Sequence, residues 1–419
     1  MKKSVRLALA CVVASTFALT FATFPLVAQT LTTIYSFQPI GGSATLGGLL
    51  ADSSGNLFGV AATGGTYGFG TIYELSPTGG GAWSETVLYN FTGGTDGGSP
   101  NYSLTSDAQR NLYGVATYGG LGSFDYGTVF QLVPPTSSGG SWTYNVIYSF
   151  SGPTTGSRPS TRLVFDKEGR LYGGLFFGGQ VCRNSQGGQV FELSPPATAG
   201  GSWAESVVYS FPCTSAPSGL TYDGRNHLFG SITFGTGKAS GGGVFGITLP
   251  PSGQSGWTFT TLYLFGGVPD GAMPMGDLAL DKNGNLYGTT YSGGSGFGTV
   301  YELSPPASAG SLWAETQLTA FNGANGSSLV APLVLDGDGN LYGTTMAGGT
   351  DNFGTVFQLQ PPVSGTGAWT LNQLHDFTSS SADQGYPNTG LIFGRLGLLY
   401  GATEGAAFGQ HGSVFRIAP

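Results

Sequence analysis

The sequence predicts an all-β fold, a seven-bladed β-propeller of four-stranded antiparallel blades, and three observations predict it. The first is a tripeptide, Leu-(Tyr/Phe)-Gly. It recurs at Leu57-Phe58-Gly59, Leu112-Tyr113-Gly114, Leu171-Tyr172-Gly173, Leu228-Phe229-Gly230, Leu286-Tyr287-Gly288, Leu341-Tyr342-Gly343 and Leu399-Tyr400-Gly401. The spacings of 55, 59, 57, 58, 55 and 58 residues define one period, and a fixed period of this size marks a repeat architecture. The second is that each period holds four short strand-like runs and no amphipathic helical pattern. The third lies at the ends. The last repeat stops at Ser413–Pro419, its third strand, while Leu31–Phe37 matches fourth strands such as Thr86–Phe91. The N-terminal strand therefore completes the last blade and closes the ring, which removes the two sheet edges that an open array would expose.

Leu278–Phe321 illustrates the elements in order. Leu278-Ala279-Leu280-Asp281 is a short buried strand, ended by the turn Lys282-Asn283-Gly284. Asn285–Tyr291 is a second strand, rich in aromatic and β-branched residues. Gly293–Gly298 is a loop, and Thr299–Leu303 is a third strand stopped by Pro305-Pro306. Trp313–Phe321 is the fourth. The first strand keeps Leu49, Leu104, Leu163, Leu220, Leu278, Leu333 and Leu391 at one offset, and the six tryptophans open six successive fourth strands. That recurrence makes Trp83, Trp142, Trp203, Trp257, Trp313 and Trp369 packing residues between sheets rather than sugar-stacking platforms.

The chain begins with the basic Met1–Arg6, an apolar stretch from Leu7 to about Phe24, and Leu26-Val27-Ala28-Gln29. This is the order of a secretory signal peptide cleaved after Ala28. Residues 1–28 are expected to be removed and residues 29–419 to form one exported propeller domain, without membrane insertion. An uncleaved anchor is the alternative, because the run is nearly long enough to span a bilayer. Loss of Lys2, Lys3 and Arg6 leaves 11 basic residues against 22 acidic ones, a net charge of about −11. Nucleic acid and anionic membranes are thereby excluded as partners, since both are bound by neutralising phosphate with Lys and Arg. With 13% aromatic and 40% apolar residues, the 75 glycines do not imply disorder.

Asn285-Leu286-Tyr287-Gly288-Thr289-Thr290 followed by Gly298-Thr299-Val300-Tyr301-Glu302-Leu303-Ser304-Pro305 resembles the GloVer tandem repeat of bacterial "choice-of-anchor" extracellular proteins. The resemblance covers residues 31–419. It implies an exported propeller-like protein and no defined reaction. Such proteins often carry a sorting tail after the repeats, and the chain's end inside a strand favours free secretion over surface attachment.

Alternation of strand direction puts the loops joining strands two and three on the same face as the connections between blades. Propellers commonly bind ligands there, an analogy of fold and not evidence of function. Cys182, in such a loop of blade three, and Cys213, just after its fourth strand, both emerge on this face, and export permits oxidation. A Cys182–Cys213 disulfide stapling that blade is expected. Residues that depart from the repeat are the candidates for ligand contact. At the end of strand two, Glu404 is the charged member of a set otherwise made of Ala62, Thr117, Phe176, Thr233, Tyr291 and Met346, and His411 follows in its loop. Asp125, Tyr126, Arg183, Lys238 and Asp351 stand in equivalent loops; Asp96, Arg158, Asp270, Asp383, Tyr102, Met273 and Tyr386 stand on the connections between blades.

Enzymatic chemistry is weakly signalled. Glycoside hydrolysis needs two carboxylates across the substrate, which Glu404 with Asp383 or Asp96 could supply. Glu74, Glu192 and Glu302 read as an outward-facing row. Asp336-Gly337-Asp338-Gly339-Asn340 opens like a calcium loop but has Leu341 and Ala347 where Gly and Glu are needed, so it reads as a hairpin turn. Three scattered histidines make zinc improbable, and the glycine-rich loops join strand to strand with no helix to receive a phosphate. No metal and no cofactor are expected. The leading expectation is a noncatalytic module that binds an extracellular polysaccharide or protein surface. A polysaccharide-active hydrolase or lyase and a structural envelope protein are the alternatives.

Overall fold

The computed structural model describes residues 31–38, 47–121, 126–137, 139–152, 155–182, 185–198, 200–234, 241–250, 256–308, 312–363, 365–378, 380, 383–405 and 411–419. The expected signal peptide lies outside them. Seven antiparallel blades follow one another, their strands paired in order from the axis outward; in blade 3 the innermost position is split into Ser157–Pro159 and Val164–Phe165, and Val181–Cys182 with Ser185–Gln186 forms a separate two-stranded ladder. In blade 1 these are Leu50–Ala51, Leu57–Ala61, Thr71–Gly79 and Ala82–Asn90. Blade 7 combines Ile392–Phe393, Leu399–Thr403 and Ser413–Ile417 with Thr32–Ser36, whose Thr32 pairs with Arg416 and Ser36 with Ser413. The chain is thus a closed seven-bladed propeller, as the sequence predicts.

The recurring tripeptide has a physical meaning at each position. Its Leu is buried at every blade. Its Gly pairs with a third-strand aromatic residue, as Gly59 does with Tyr73 and Gly401 with Phe415. A Cβ at either glycine would come within 2.5 Å of that ring or closer, so the ring lies flat against bare backbone. The tripeptide's aromatic residue faces the next blade and meets the tryptophan there edge-on: Tyr400 with Trp83, Phe58 with Trp142, Tyr113 with Trp203 and Phe229 with Trp313. The tryptophans are therefore packing residues.

Seven buried clusters occupy the seven blade interfaces. Each contains the phenylalanine that ends a fourth strand and the third-strand aromatic residue of the next blade. The interface of blades 7 and 1 is built like the others, from Phe37 against Tyr73 at 4.9 Å. Turns between the first two strands are pinned by an aspartate. Asp336 accepts backbone N–H bonds from Asp338 and Asn340 and side-chain bonds from Asn340 and Tyr342. This is a hairpin cap that consumes the carboxylate. One sequence expectation fails: Glu192 does not face outward but is buried, accepting a bond from Tyr172 Oη at 3.0 Å with Arg170 at 3.6 Å.

The closing strand makes a direct prediction. Phe37→Ala should lower stability by about 3–5 kcal/mol, the cost of emptying a buried phenylalanine site. Chemical denaturation would measure it beside Phe211→Ala at an internal interface. A neutral Phe37→Ala would mean that the N-terminal strand does not close the ring.

Candidate ligand-binding face and central cavity

The first strands surround the propeller axis, and between them lies a cavity of about 1240 Å³ lined from all seven blades. Its wall runs from Asn388 to Ile392 in blade 7. At about 3.3 Å per residue that is roughly 13 Å of extended chain. Loops between strands two and three, and connections between blades, reach its rim through Phe176, Phe177, Val181, Thr214 and Phe234. The two kinds of loop share one face, as strand alternation requires. They are also bonded to each other: Gly98 pairs with Tyr118, and the Ser99 and Tyr386 N–H groups donate to the Phe69 and Phe353 carbonyls.

Six of the seven residues that precede the buried first-strand leucine line the wall. Around the ring the seven are Gly48, Ser103, Arg162, Gly219, Asp277, Pro332 and Gly390. Two carry charge, and they meet. Arg162 Nε donates to Asp277 Oδ2, while Asp277 Oδ1 accepts the Leu220 N–H at 2.9 Å. Gly219 stands between them in the ring without a side chain, which lets the pair span blades 3 and 5. Sequence reasoning missed both residues, although comparing this position across the repeats would have found them.

Asn101 and Asn388 occupy equivalent positions in blades 2 and 7. Asn101 Nδ2 donates to Thr117 Oγ1, and Asn388 Nδ2 donates to Glu404 Oε2 at 3.1 Å. The side-chain carbonyl oxygen of each is buried and without a partner. Tyr102 completes this wall, and burial pushes its phenol up to about 12. The rim on the side of blades 3 and 4 is apolar and open to solvent: Phe176 is 44% exposed, Phe177 37%, Val181 73% and Phe234 50%.

The sequence-predicted residues divide into groups. Asp96, Asp270 and Asp383 are repeat features that cap the link from each fourth strand to the next blade. Asp96 accepts from Tyr89 Oη at 2.9 Å and the Thr92 N–H at 2.8 Å; Asp270 accepts from Tyr263 Oη and the Gly266 N–H. Asp383 lies 2.8 Å from His375 Nε2 and accepts the Thr378 N–H. Burial alone would raise its carboxyl, but these donors hold it below the usual range. Tyr126 takes the place of Phe69, Phe297 and Phe353, and it packs over Gly152 as Phe69 packs over Gly93. Tyr386 lies edge-on to Phe353 at 5.3 Å. Arg158 is exposed, with its guanidinium over the rings of Tyr118 and Phe177 at 5.5 and 5.7 Å. Met273 lines the cavity. Glu404 is exposed and touches the cavity through Asn388, and Asp351 is an exposed loop residue. His411 is half-buried just before the third strand of blade 7. Asp125, Arg183 and Lys238 lie outside the described residues. Cys213 is buried. The Cys182 backbone belongs to a short ladder in which Val181 pairs with Gln186, and its side chain lies outside the described residues.

A sequence model of the Gloeobacter/Verrucomicrobia repeat matches residues 15–218 and 197–415. No curated protein matches the chain. Among solved structures, a luciferin-regenerating enzyme is similar at 14% identity and a TM-score of 0.44, over 75% of this chain and 90% of its own. A glucose dehydrogenase is similar at 13% and 0.47, over 83% and 99%, and another at 16% and 0.49, over 80% and 100%. Likeness this distant carries no chemistry across.

A strongly perturbed carboxyl lies away from the cavity, between blades 4 and 5. Burial, with the charge of Asp270 second, pushes Glu315 up to about 7, and its Oε1 has no partner. A carboxyl raised in the folded state holds its proton longer than in the unfolded chain. It therefore supports the fold below about pH 4.5 and loses that contribution as the pH climbs through about 7. Glu315→Gln removes the ionisation and keeps the shape. It should raise the melting temperature at pH 8 and change it little at pH 4. Parallel melting curves for the two proteins across that range would refute the assignment.

Proposed function

The chain belongs to the Gloeobacter/Verrucomicrobia repeat family, and from that premise we propose that it is an exported, noncatalytic module that binds an extracellular glycan through the face carrying the central cavity. The observation that carries this reading is the composition of the cavity. A hydrolase or lyase working here would need two carboxylates facing each other across the substrate. Among the described residues the cavity wall offers one, Asp277, and that one is bound to Arg162 and to the Leu220 N–H. Glu404 stands outside the wall, while Asp96 and Asp383 are consumed as caps. What the mouth does present is an exposed apolar and aromatic rim over a largely apolar interior that carries a few polar groups, the usual make-up of a ligand pocket.

Export fits the sequence of residues 1–28, and among the described residues no helix is long and apolar enough to cross a membrane. Pairing of Cys182 with Cys213 belongs to the same reading. Such a bond would tie the blade 3 loop that supplies Val181 to the connection that supplies Thr214, and so fix one side of the rim.

Two measurements test the proposal. The purified chain, incubated with plant and microbial polysaccharides, should be retained on at least one of them without releasing new sugar ends. Release of ends that disappears in Glu404→Gln would replace binding with catalysis. Retention on none would turn the search to protein partners. Reduction of the folded chain should add two protons in mass, and an unchanged mass would remove the disulfide.

A further inference from the structure

We propose that the central cavity receives the terminal residue of a neutral glycan chain, taken in end-on along the propeller axis. This rests on the reading of the face as glycan-binding, and it adds where the sugar goes and which class of sugar fits.

The hydrogen-bonding inventory selects hydroxyl groups. Arg162 spends its Nε on Asp277, and its two terminal nitrogens make no hydrogen bond among the described residues. They leave a planar fork of donors on one side of the cavity. A ligand here must accept from that fork, and a sugar hydroxyl oxygen does so without bringing charge.

Charge points the same way. Asp277 already balances Arg162, so the cavity as a whole offers an anion no net positive field, and the chain carries an excess of acid. The apolar part of the wall, Phe176, Phe177 and Met275, gives the C–H face of a pyranose ring a surface to cover. Shape then decides which part of the glycan enters. The wall is formed by all seven first strands and is several residues deep, so it is a shaft and not a groove lying across the surface. The interior of a long polymer can cross a groove. Only an end can enter a shaft.

The test is isothermal titration of the full chain with cellotriose, maltotriose, xylotriose and mannotriose, with trigalacturonate as the anionic probe and α-cyclodextrin as a glucan without ends. At least one neutral linear trisaccharide should bind. Trigalacturonate should bind more weakly, and cyclodextrin not at all. Arg162→Met should weaken the interaction about tenfold or more, the worth of one or two hydrogen bonds. Phe234→Ala, at an exposed rim position where refolding is not at stake, should weaken it as well. Tighter binding of trigalacturonate, or binding of cyclodextrin, would overturn the proposal. So would unchanged affinity in both variants. If polysaccharide is retained but no trisaccharide binds and the variants retain it as well as wild type does, the cavity is not the site and the face reading stands. If wild type retains no glycan, both fail.

Discussion

Seven edge-to-face contacts between aromatic rings hold this molecule in a circle. At each blade interface the phenylalanine ending a fourth strand meets the third-strand aromatic residue of the next blade, with ring centroids 4.9 to 5.5 Å apart. The phenylalanine is fixed from behind, because its N–H donates to the carbonyl of the glycine near the start of its own blade's third strand, from Gly412 for Phe37 to Gly354 for Phe377. Its partner ring is fixed from the other side by the tripeptide glycine. Such a pair adds about 0.5–1.5 kcal/mol beyond the area it buries. The more important property is that each blade gives one ring to the blade on either side, so the arrangement is satisfied everywhere only when the circle closes.

That closure explains where variation is tolerated. Core positions repeat because each is gripped by two blades. The loop face and the axis are gripped by neither, and there the blades differ. The rim is aromatic at blades 3 and 4, the shaft is charged at blades 3 and 5, and it is amidic at blades 2 and 7. A symmetric scaffold has produced an asymmetric mouth, and asymmetry is what a site needs in order to orient a ligand that has none of the propeller's symmetry.

The fold was legible because its signals are periodic and local. Leu57-Phe58-Gly59 and its six copies each state the same three contacts, and Leu31–Phe37 declares itself a fourth strand even though its blade lies at the other end of the chain. The site was less legible, for two physical reasons. Charged loop residues looked like departures from the repeat, yet Asp96, Asp270 and Asp383 share one task, tying the backbone of a connection to a side chain of the preceding strand. The residues that do meet in the cavity, Arg162 and Asp277, lie 115 positions apart and flank a leucine that is uniform in every repeat. Reading by element passed over them, since each stands one position before the leucine that opens a buried strand. Only the ring geometry shows that the position before the leucine faces the axis, where a side chain meets its counterparts from other blades.

The pairing of Arg162 with Asp277 also separates what stabilises the shaft from what would recognise a ligand. A half-buried arginine left alone would draw water or a counterion into the axis, and the aspartate prevents this by neutralising it. The aspartate is in turn held by the Leu220 N–H, so the pair is fixed to the rigid first strands and not to the loops. The guanidinium is thereby oriented before any ligand arrives, and a group placed in advance costs little further ordering when it binds. A shaft that only needed to be filled could have been lined with leucine, as the blade interfaces are; this one keeps a fixed, neutralised guanidinium at its wall, with two terminal nitrogens that make no hydrogen bond among the described residues.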